Sequence, residues 1–192
     1  MKVYKLTILV LLLLLGCVAC QKKNPVVEFQ TPKGKILVEL DIENAPITAS
    51  HFLKLVKEGY YDGASFYRSV RGATKDNPVH ITVVQGGVSG MGNKRRVESI
   101  SHESTDITGL THSNGVISMA RNKPGSASTE FFFCMGENQE LDFGGKRNPD
   151  GQGFAAFGKA IEGFKTLHDL WGASAMGEQI DPKIIIYKIK VQ

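Results

Sequence analysis

The feature that most restricts the fold of this chain is a series of short apolar segments separated by turn-forming residues. Each segment has the length and residue types of a β-strand and is too short for a typical helix. Glycine, asparagine and proline stand between the segments and favour turns. The predicted strands are Val26–Gln30, Lys35–Asp41, Ser65–Arg71, Ile81–Gln85, Val116–Arg121, Glu130–Met135, Phe154–Lys159 and Lys183–Val191.

Two further segments carry apolar residues at helical spacing. The first helix is predicted to begin at Asn44 and Pro46 and to end near Gly59, and the second covers Phe164 to Trp171. Strands in this number, with two helices in one domain, predict a mainly β fold. We expect a closed eight-stranded antiparallel β-barrel capped by two α-helices.

Alternation along the strands predicts which side chains share a face. In the last segment, Lys183–Val191, it places Ile185 and Tyr187 on one face of a continuous strand. In Phe131–Phe133, the middle ring points away from the other two. Because a small barrel buries only one face in its interior, an outward phenylalanine needs a cover or forms the floor of an apolar pocket.

The first 25 residues differ in composition from the rest of the chain. Lys2 and Lys5 precede an apolar run, Leu6–Leu15, that ends at Gly16-Cys17. Basic residues, a short apolar run and then small residues are typical of a secretory signal. The run is shorter than the roughly 20 residues that a membrane-spanning helix needs. Its end resembles a bacterial lipobox, in which the cysteine is acylated and becomes the new N-terminus.

This pattern divides the chain into a lipoprotein signal peptide (1–16), a polar tether (17–25) and one folded domain (26–192). Cys17 is the predicted lipid anchor, with Cys20 as an alternative, and a plain cleaved signal also stays open. Acyl chains such as palmitate would hold the domain to a membrane. We therefore expect an exported, lipid-anchored protein of the bacterial cell envelope, facing the periplasm or in the outer membrane.

Charge and residue content argue against several partners. The formal net charge is +4, and removal of Lys2 and Lys5 with the signal leaves +2, too balanced for a nucleic-acid partner. The five histidines form no HxH or HExxH pair, so no metal or cofactor is expected. Cys134 lies in an apolar strand and is predicted to be an inert buried thiol. We expect a monomer.

Several motifs, in order along residues 26–191, resemble the cyclophilin family. The matching segments are Phe66-Tyr67-Arg68 (F-H-R), Val84-Gln85-Gly86-Gly87 (Q-G-G), Gly115-Val116-Ile117-Ser118-Met119-Ala120 (G-x-[IL]-S-M-A), Glu130-Phe131-Phe132 (Q-F-F), Leu141-Asp142 (L-D) and Phe157-Gly158-Lys159 (F-G-K). The resemblance implies the cyclophilin barrel and peptidyl-prolyl cis/trans isomerase activity on proline-containing polypeptides, without covalent chemistry or a cofactor.

The resemblance also implies roles for individual residues. Arg68 is implied to be the catalytic donor to the prolyl nitrogen, and Phe132 the floor of the proline pocket. The other residues implied to bind substrate are Gln85, Ala120, Leu141, Glu130, Thr82, Val83, Arg121 and Phe154.

Some of these positions depart from the family pattern. Thr82 and Val83 replace phenylalanine and methionine, Glu130 replaces glutamine, Arg121 asparagine, Glu140 tryptophan and Phe154 histidine. An ionised Glu130 accepts hydrogen bonds but donates none, which suggests the hypothesis that it pairs with Arg68 and orients it. The departures leave a second function open, a non-catalytic proline-peptide-binding or chaperone module at the cell envelope.

Overall fold

The computed structural model describes residues 24–75, 78–89, 91, 96–173 and 177–192, so the predicted signal peptide, Cys17 and Cys20 lie outside the described residues. The described chain forms a mainly β domain. Its strands are β1 (Val26–Thr31), β2 (Gly34–Leu40), β3 (Ser65–Arg71), β4 (Thr82–Gly87), β5 (Val116–Met119), β6 (Phe131–Cys134), β7 (Ala155–Glu162), β8 (Gln179–Ile185) and β9 (Lys188–Val191). Its helices are α1 (Pro46–Lys57), α2 (Thr105–Thr108), α3 (Phe164–Gly172) and a 3-10 helix (Gln139–Leu141).

The strands form one curled antiparallel sheet in the order β8-β3-β4-β6-β5-β7-β2-β1-β9. The sheet is a nine-stranded half-barrel with β8 and β9 at its edges, so the prediction of a closed eight-stranded barrel capped by two helices is wrong. The two predicted helices correspond to α1 and α3, and the four-residue α2 was not predicted.

The extra strand arises because the last predicted strand breaks at Ile186-Tyr187. β8 pairs with β3, whereas β9 pairs with β1 at the opposite edge of the sheet. Strict alternation continues through the break, with Ile186 fully buried and Tyr187 59% exposed, and it shifts by one residue before Ile189, which is buried. The predicted shared face of Ile185 and Tyr187 is solvent-exposed rather than part of the core.

Helix α1 begins at Pro46, and two backbone N–H groups of its first turn donate hydrogen bonds to an acidic side chain that is distant in sequence. The Glu103 carboxylate accepts hydrogen bonds from the backbone N–H of Ile47 at 3.1 Å and of Thr48 at 2.7 Å. These bonds satisfy N–H groups that have no partner within the helix. The predicted cap residue, Asn44, lies one position before the actual N-cap, Ala45.

The sheet buries apolar side chains on both of its faces. Its concave face, with α1 against β7 and β9, encloses an aromatic core whose rings contact each other, including Phe29, Phe52, Phe131 and Phe133. A second, smaller apolar cluster lies on the outer face and is composed of Val70, Ile81, Val83, Val116, Phe132, Cys134, Leu141, Phe154 and Ala156. This outer cluster, which contains the predicted buried thiol of Cys134, supports the candidate site.

None of the helices in the described part of the chain is long and apolar enough to cross a membrane.

Candidate active site

A β-bulge in β3 places Arg68 on the outer face of the sheet. Phe66 pairs with Gly86 and Arg68 pairs with the next residue of β4, Gln85. Tyr67 is therefore an extra residue in β3 with no pairing partner in β4. A bulge of this kind resets the alternation of side chains. Phe66 is therefore buried in the aromatic core, while Arg68 lies on the same face as Gln85 and the outer apolar cluster.

Arg68 and Gln85 border a cleft of about 390 Å³. The residues that line it are Arg68, Ile81, Val83, Gln85, Ala120, Arg121, Asn122, Ser126, Ser128, Glu130, Phe132, Leu141, Arg147, Asn148 and Phe154. The structure thus brings together every site residue proposed from sequence except Thr82. Ile81, Asn122, Ser126, Ser128, Arg147 and Asn148 are additions that sequence reasoning missed.

The apolar floor of the cleft is the outward ring of the Phe131–Phe133 segment. Phe132 is only 4% exposed. Its ring stacks on His112, with centroids 5.9 Å apart, and meets Phe154 edge-on at 5.3 Å. His112 is fixed in turn, because its Nδ1 lies 2.7 Å from Asp142 Oδ1. The floor is therefore held from two sides before any ligand binds.

The Arg68 guanidinium is held at the rim by two side chains. Nε and Nη2 both donate to Glu178 Oε2, at 2.8 and 2.5 Å, and Nη1 donates to Gln85 Oε1 at 3.0 Å. A guanidinium has five N–H groups, so two have no acceptor among the described residues and can donate to a ligand. Glu178 is distant from Arg68 in sequence and carries no motif, and sequence reasoning therefore missed it.

Glu130 does not pair with Arg68, and the hypothesis that it does is wrong. Its carboxylate accepts from the Tyr67 hydroxyl at 2.6 Å, from the Val88 backbone N–H at 2.9 Å and from the Thr129 hydroxyl at 3.2 Å. The bulged Tyr67 stands between the two groups, since its hydroxyl also accepts from Gln85 Nε2 at 2.8 Å. Glu130 therefore reaches Arg68 only through Tyr67 and Gln85.

The Tyr67 hydroxyl stays protonated in this chain of hydrogen bonds. Burial, and next its hydrogen bond to Glu130, raise the pKa of Tyr67 well above its usual range. The hydroxyl can then donate to the carboxylate while it accepts from the Gln85 amide. This fixes the Gln85 amide with its oxygen toward Arg68.

Thr82 lies outside the cleft because of strand alternation. Ile81, Val83 and Gln85 point to the cleft, and the intervening side chain of Thr82 points away from it. Its hydroxyl donates to the Met135 carbonyl, and its backbone N–H donates to Asn138 Oδ1 at 2.6 Å. Thr82 thus connects β4 to the segment after β6 and does not face a ligand in the cleft.

Arg121 lines the cleft, but four of its five N–H groups are already bonded. Its guanidinium forms two hydrogen bonds to Asp150, both 2.8 Å, and Nε donates to the Gly153 carbonyl at 2.8 Å. The guanidinium carbon also lies 5.3 Å from the ring centre of Phe154. Arg121 therefore clamps the segment 144–153, hereafter the cleft loop, and holds Phe154 against the floor.

Comparison with known proteins gives a consistent family match. Residues 26–191 match the model of the family described as cyclophilin type peptidyl-prolyl cis-trans isomerase/CLD. The chain is 32% identical over 173 residues to the peptidyl-prolyl cis-trans isomerase cyp18 of Streptomyces antibioticus, which covers 86% of this chain and 97% of the relative. It is 30% identical over 151 residues to peptidyl-prolyl cis-trans isomerase B of Escherichia coli K12, covering 77% and 85%.

A solved structure shares the fold. It is the crystal structure of a cyclophilin type peptidyl-prolyl cis-trans isomerase from Cryptosporidium parvum in the presence of the dipeptide Ala-Pro. Its TM-score against this chain is 0.69 at 25% identity, and the match covers 87% of this chain and 98% of that one.

The clamp on the cleft loop predicts a pH-dependent contribution to stability. The hydrogen bonds from Arg121 lower the pKa of Asp150 to about 2, whereas an unfolded chain has an Asp pKa of about 3.9. A carboxyl with a lowered folded pKa stabilises the fold above its unfolded pKa, and this contribution is lost as the pH falls through its folded pKa. We expect Asp150→Asn to lower the free energy of unfolding much more at pH 6 than at pH 2, measured by urea titration.

In an Arg121→Gln background the same Asp150→Asn substitution should have a much smaller pH-dependent effect, because the main partner is gone and only the Gln152 backbone N–H still donates to the carboxylate. A difference between wild type and Asp150→Asn that stays constant from pH 6 to pH 2 would contradict the clamp.

Proposed function

The chain belongs to the cyclophilin-type peptidyl-prolyl cis-trans isomerase family and is an enzyme of that class, and from this premise we propose that Arg68 is its catalytic donor and Phe132 the floor of its proline pocket. The observation that carries the proposal is the position of Arg68, which is held at the rim of the cleft that has Phe132 at its floor. Family membership favours this enzyme over a non-catalytic binding module.

The reaction needs the amide resonance of an X-Pro bond to be weakened. Rotation about the C–N bond has a barrier of about 18–20 kcal/mol because resonance gives it double-bond character. A donor to the prolyl nitrogen favours the pyramidal nitrogen, whose lone pair has left the carbonyl. A 10⁵-fold acceleration corresponds to about 7 kcal/mol of preferential transition-state binding. The two free N–H groups of Arg68 are suitable donors for this interaction.

The apolar floor suits a proline ring. Phe132, Leu141, Val83 and Phe154 line the cleft and belong to the outer apolar cluster. A pyrrolidine ring placed there leaves water without losing a hydrogen bond, because the prolyl nitrogen carries no hydrogen. The likeness to a structure determined with Ala-Pro supports a proline-containing peptide as the ligand.

Pre-organisation of Arg68 is the second part of the proposal. Glu178 and Gln85 hold the guanidinium from two directions, and Tyr67 with Glu130 fixes the orientation of Gln85. Donors that are fixed before the reaction stabilise a transition state without the cost of reorganisation. In this arrangement, Glu178 is a positioning residue for Arg68.

Arg68→Ala is expected to lower kcat/KM for an X-Pro peptide by about 10²–10³-fold, since one donor to the transition state is lost. The measurement is NMR exchange between the cis and trans peptide, together with the dissociation constant of the peptide, which should change much less. Arg71→Ala is the matched control, because Arg71 lies on the same strand but donates to the carbonyls of Trp171 and Gly172. Equal activity of the Arg68→Ala and Arg71→Ala proteins would refute the catalytic role.

Glu178→Ala is expected to lower kcat about ten-fold with little change in KM, because Arg68 loses its orientation but not its charge. Glu178→Gln should restore much of the rate, since an amide oxygen still accepts from the guanidinium. The NMR resonance of the Arg68 Nε–H reports the contact directly and should shift in Glu178→Ala but much less in Glu178→Gln. Glu162→Ala, an exposed residue at the end of β7, serves as control. An unchanged Arg68 resonance in Glu178→Ala would contradict the positioning role.

We further propose that the enzyme acts on proteins of the bacterial cell envelope, to which a lipid on Cys17 anchors it. The basic residues, short apolar run and Gly16-Cys17 at its end support this location. The family match beginning at residue 26 leaves the preceding residues free for export and tethering.

Lipid attachment can be tested by labelling bacterial cells with a fatty acid that carries a click-chemistry tag. We expect label on the wild-type protein and on Cys20→Ser, but none on Cys17→Ser, because acylation uses one thiol. Label retained by Cys17→Ser and lost from Cys20→Ser would move the anchor to Cys20, and an unlabelled wild-type protein would refute the lipid anchor.

A further inference from the structure

The cleft loop is fixed in place over the cleft by its own hydrogen bonds. The Gly144 N–H donates to the Gly151 carbonyl at 2.7 Å, and the Arg147 N–H donates to the Glu140 carbonyl at 3.1 Å. The Arg121–Asp150 pair ties the far end of the loop to the segment that follows β5. Because these bonds hold the backbone of the loop, Arg147 and Asn148 are presented at the cleft from a defined segment.

Two side chains of this loop carry nitrogen atoms without a hydrogen-bond partner. Arg147 and Asn148 both line the cleft. Arg147 Nη1 and Asn148 Nδ2 are shielded from solvent and have no acceptor among the described residues. Buried donors are almost always paired, and an unpaired one, above all on a charged group, is unfavourable. The two nitrogens are therefore suited to donate hydrogen bonds to an acceptor on a bound ligand.

The other charged groups around the cleft are already matched. Arg68 pairs with Glu178, Arg121 pairs with Asp150, and Glu130 accepts three hydrogen bonds. Arg147 lies close enough to Arg68 and Glu178 for both to act on it. Burial and then Arg68 lower the pKa of Arg147, while Glu178 opposes them.

Resting on the proposed function, we propose that Arg147 and Asn148 form a carboxylate-recognition subsite, so that the enzyme prefers peptides with an acidic residue close to the proline. Charge-assisted hydrogen bonds between a guanidinium and a carboxylate are roughly twice as strong as those between neutral groups, and they are frequently bidentate. A neutral carbonyl would also accept hydrogen bonds from these nitrogens, but it would leave the positive charge of Arg147 without a counter-charge. Since every peptide has backbone carbonyls, such a contact would also give no preference among peptides.

The acidic residue should lie near the isomerised bond in sequence. Arg147 and Arg68 border the same cleft, and an extended peptide advances by roughly 3.3 Å per residue. A carboxylate within about two residues of the proline is therefore within reach of the loop, after rotation of the Arg147 side chain toward the ligand.

The test uses capped peptides that are identical except for one residue, which is Glu, Gln or Lys at each of the two positions before and the two after Pro. Dissociation constants are measured by NMR titration of the purified protein, and exchange rates are measured in the same samples. We expect at least one Glu peptide to bind about five-fold more tightly than its Gln counterpart, with the Lys peptide weakest. In Arg147→Ala this Glu-to-Gln ratio should fall to about one.

Lys146→Ala is the matched control. Lys146 is adjacent in the same loop and carries the same charge, but it does not line the cleft, so the ratio should persist. A ratio near one at all four positions in the wild type, a ratio unchanged by Arg147→Ala, or an equal loss in Lys146→Ala would each overturn the subsite. The proposed function is judged separately, because absence of catalysed exchange for every peptide refutes it whatever the binding ratios are.

Discussion

The candidate site depends on one extra residue in a β-strand. Without the bulge at Tyr67, strict alternation would place Phe66 and Arg68 on the same face of the sheet. Either Phe66 would then leave the aromatic core, or Arg68 would enter it. The bulge keeps Phe66 inside and turns Arg68 outward, and its own side chain, Tyr67, connects Gln85 to Glu130. A local irregularity of the backbone thus provides both the position and the support of the proposed donor.

A sheet that is apolar on both faces provides the rest of the site. The concave face buries the aromatic core, while Phe132 and its neighbours form an apolar floor on the outer face. This floor is exposed to a ligand only where the cleft loop and the rim residues leave space. The Arg121–Asp150 pair therefore contributes to the site indirectly, because it holds the loop that forms one wall of the cleft.

Sequence reasoning predicted the strands and the outward ring of Phe132 well, because both follow from alternation within short segments. It did not predict the break at Ile186, since an apolar run that crosses between two edges of a sheet has the same composition as one that stays in a single strand. Glu178 was missed because its contact with Arg68 depends on tertiary structure alone, and the Glu130 pairing was wrong because Tyr67 occupies the space between. The prediction for Cys17 stays a prediction.

In the proposed mechanism a fixed guanidinium fork, rather than a positive charge alone, promotes rotation of the X-Pro bond. Arg68→Lys tests it most directly, because lysine keeps the charge and loses the fork that Glu178 and Gln85 hold in place. We predict that Arg68→Lys lowers the rate of cis–trans exchange of a bound X-Pro peptide, measured by NMR, by about 10²–10³-fold, as Arg68→Ala does, while the peptide still binds. Exchange at the wild-type rate in Arg68→Lys would show that the positive charge alone is sufficient and would refute the role of the fork.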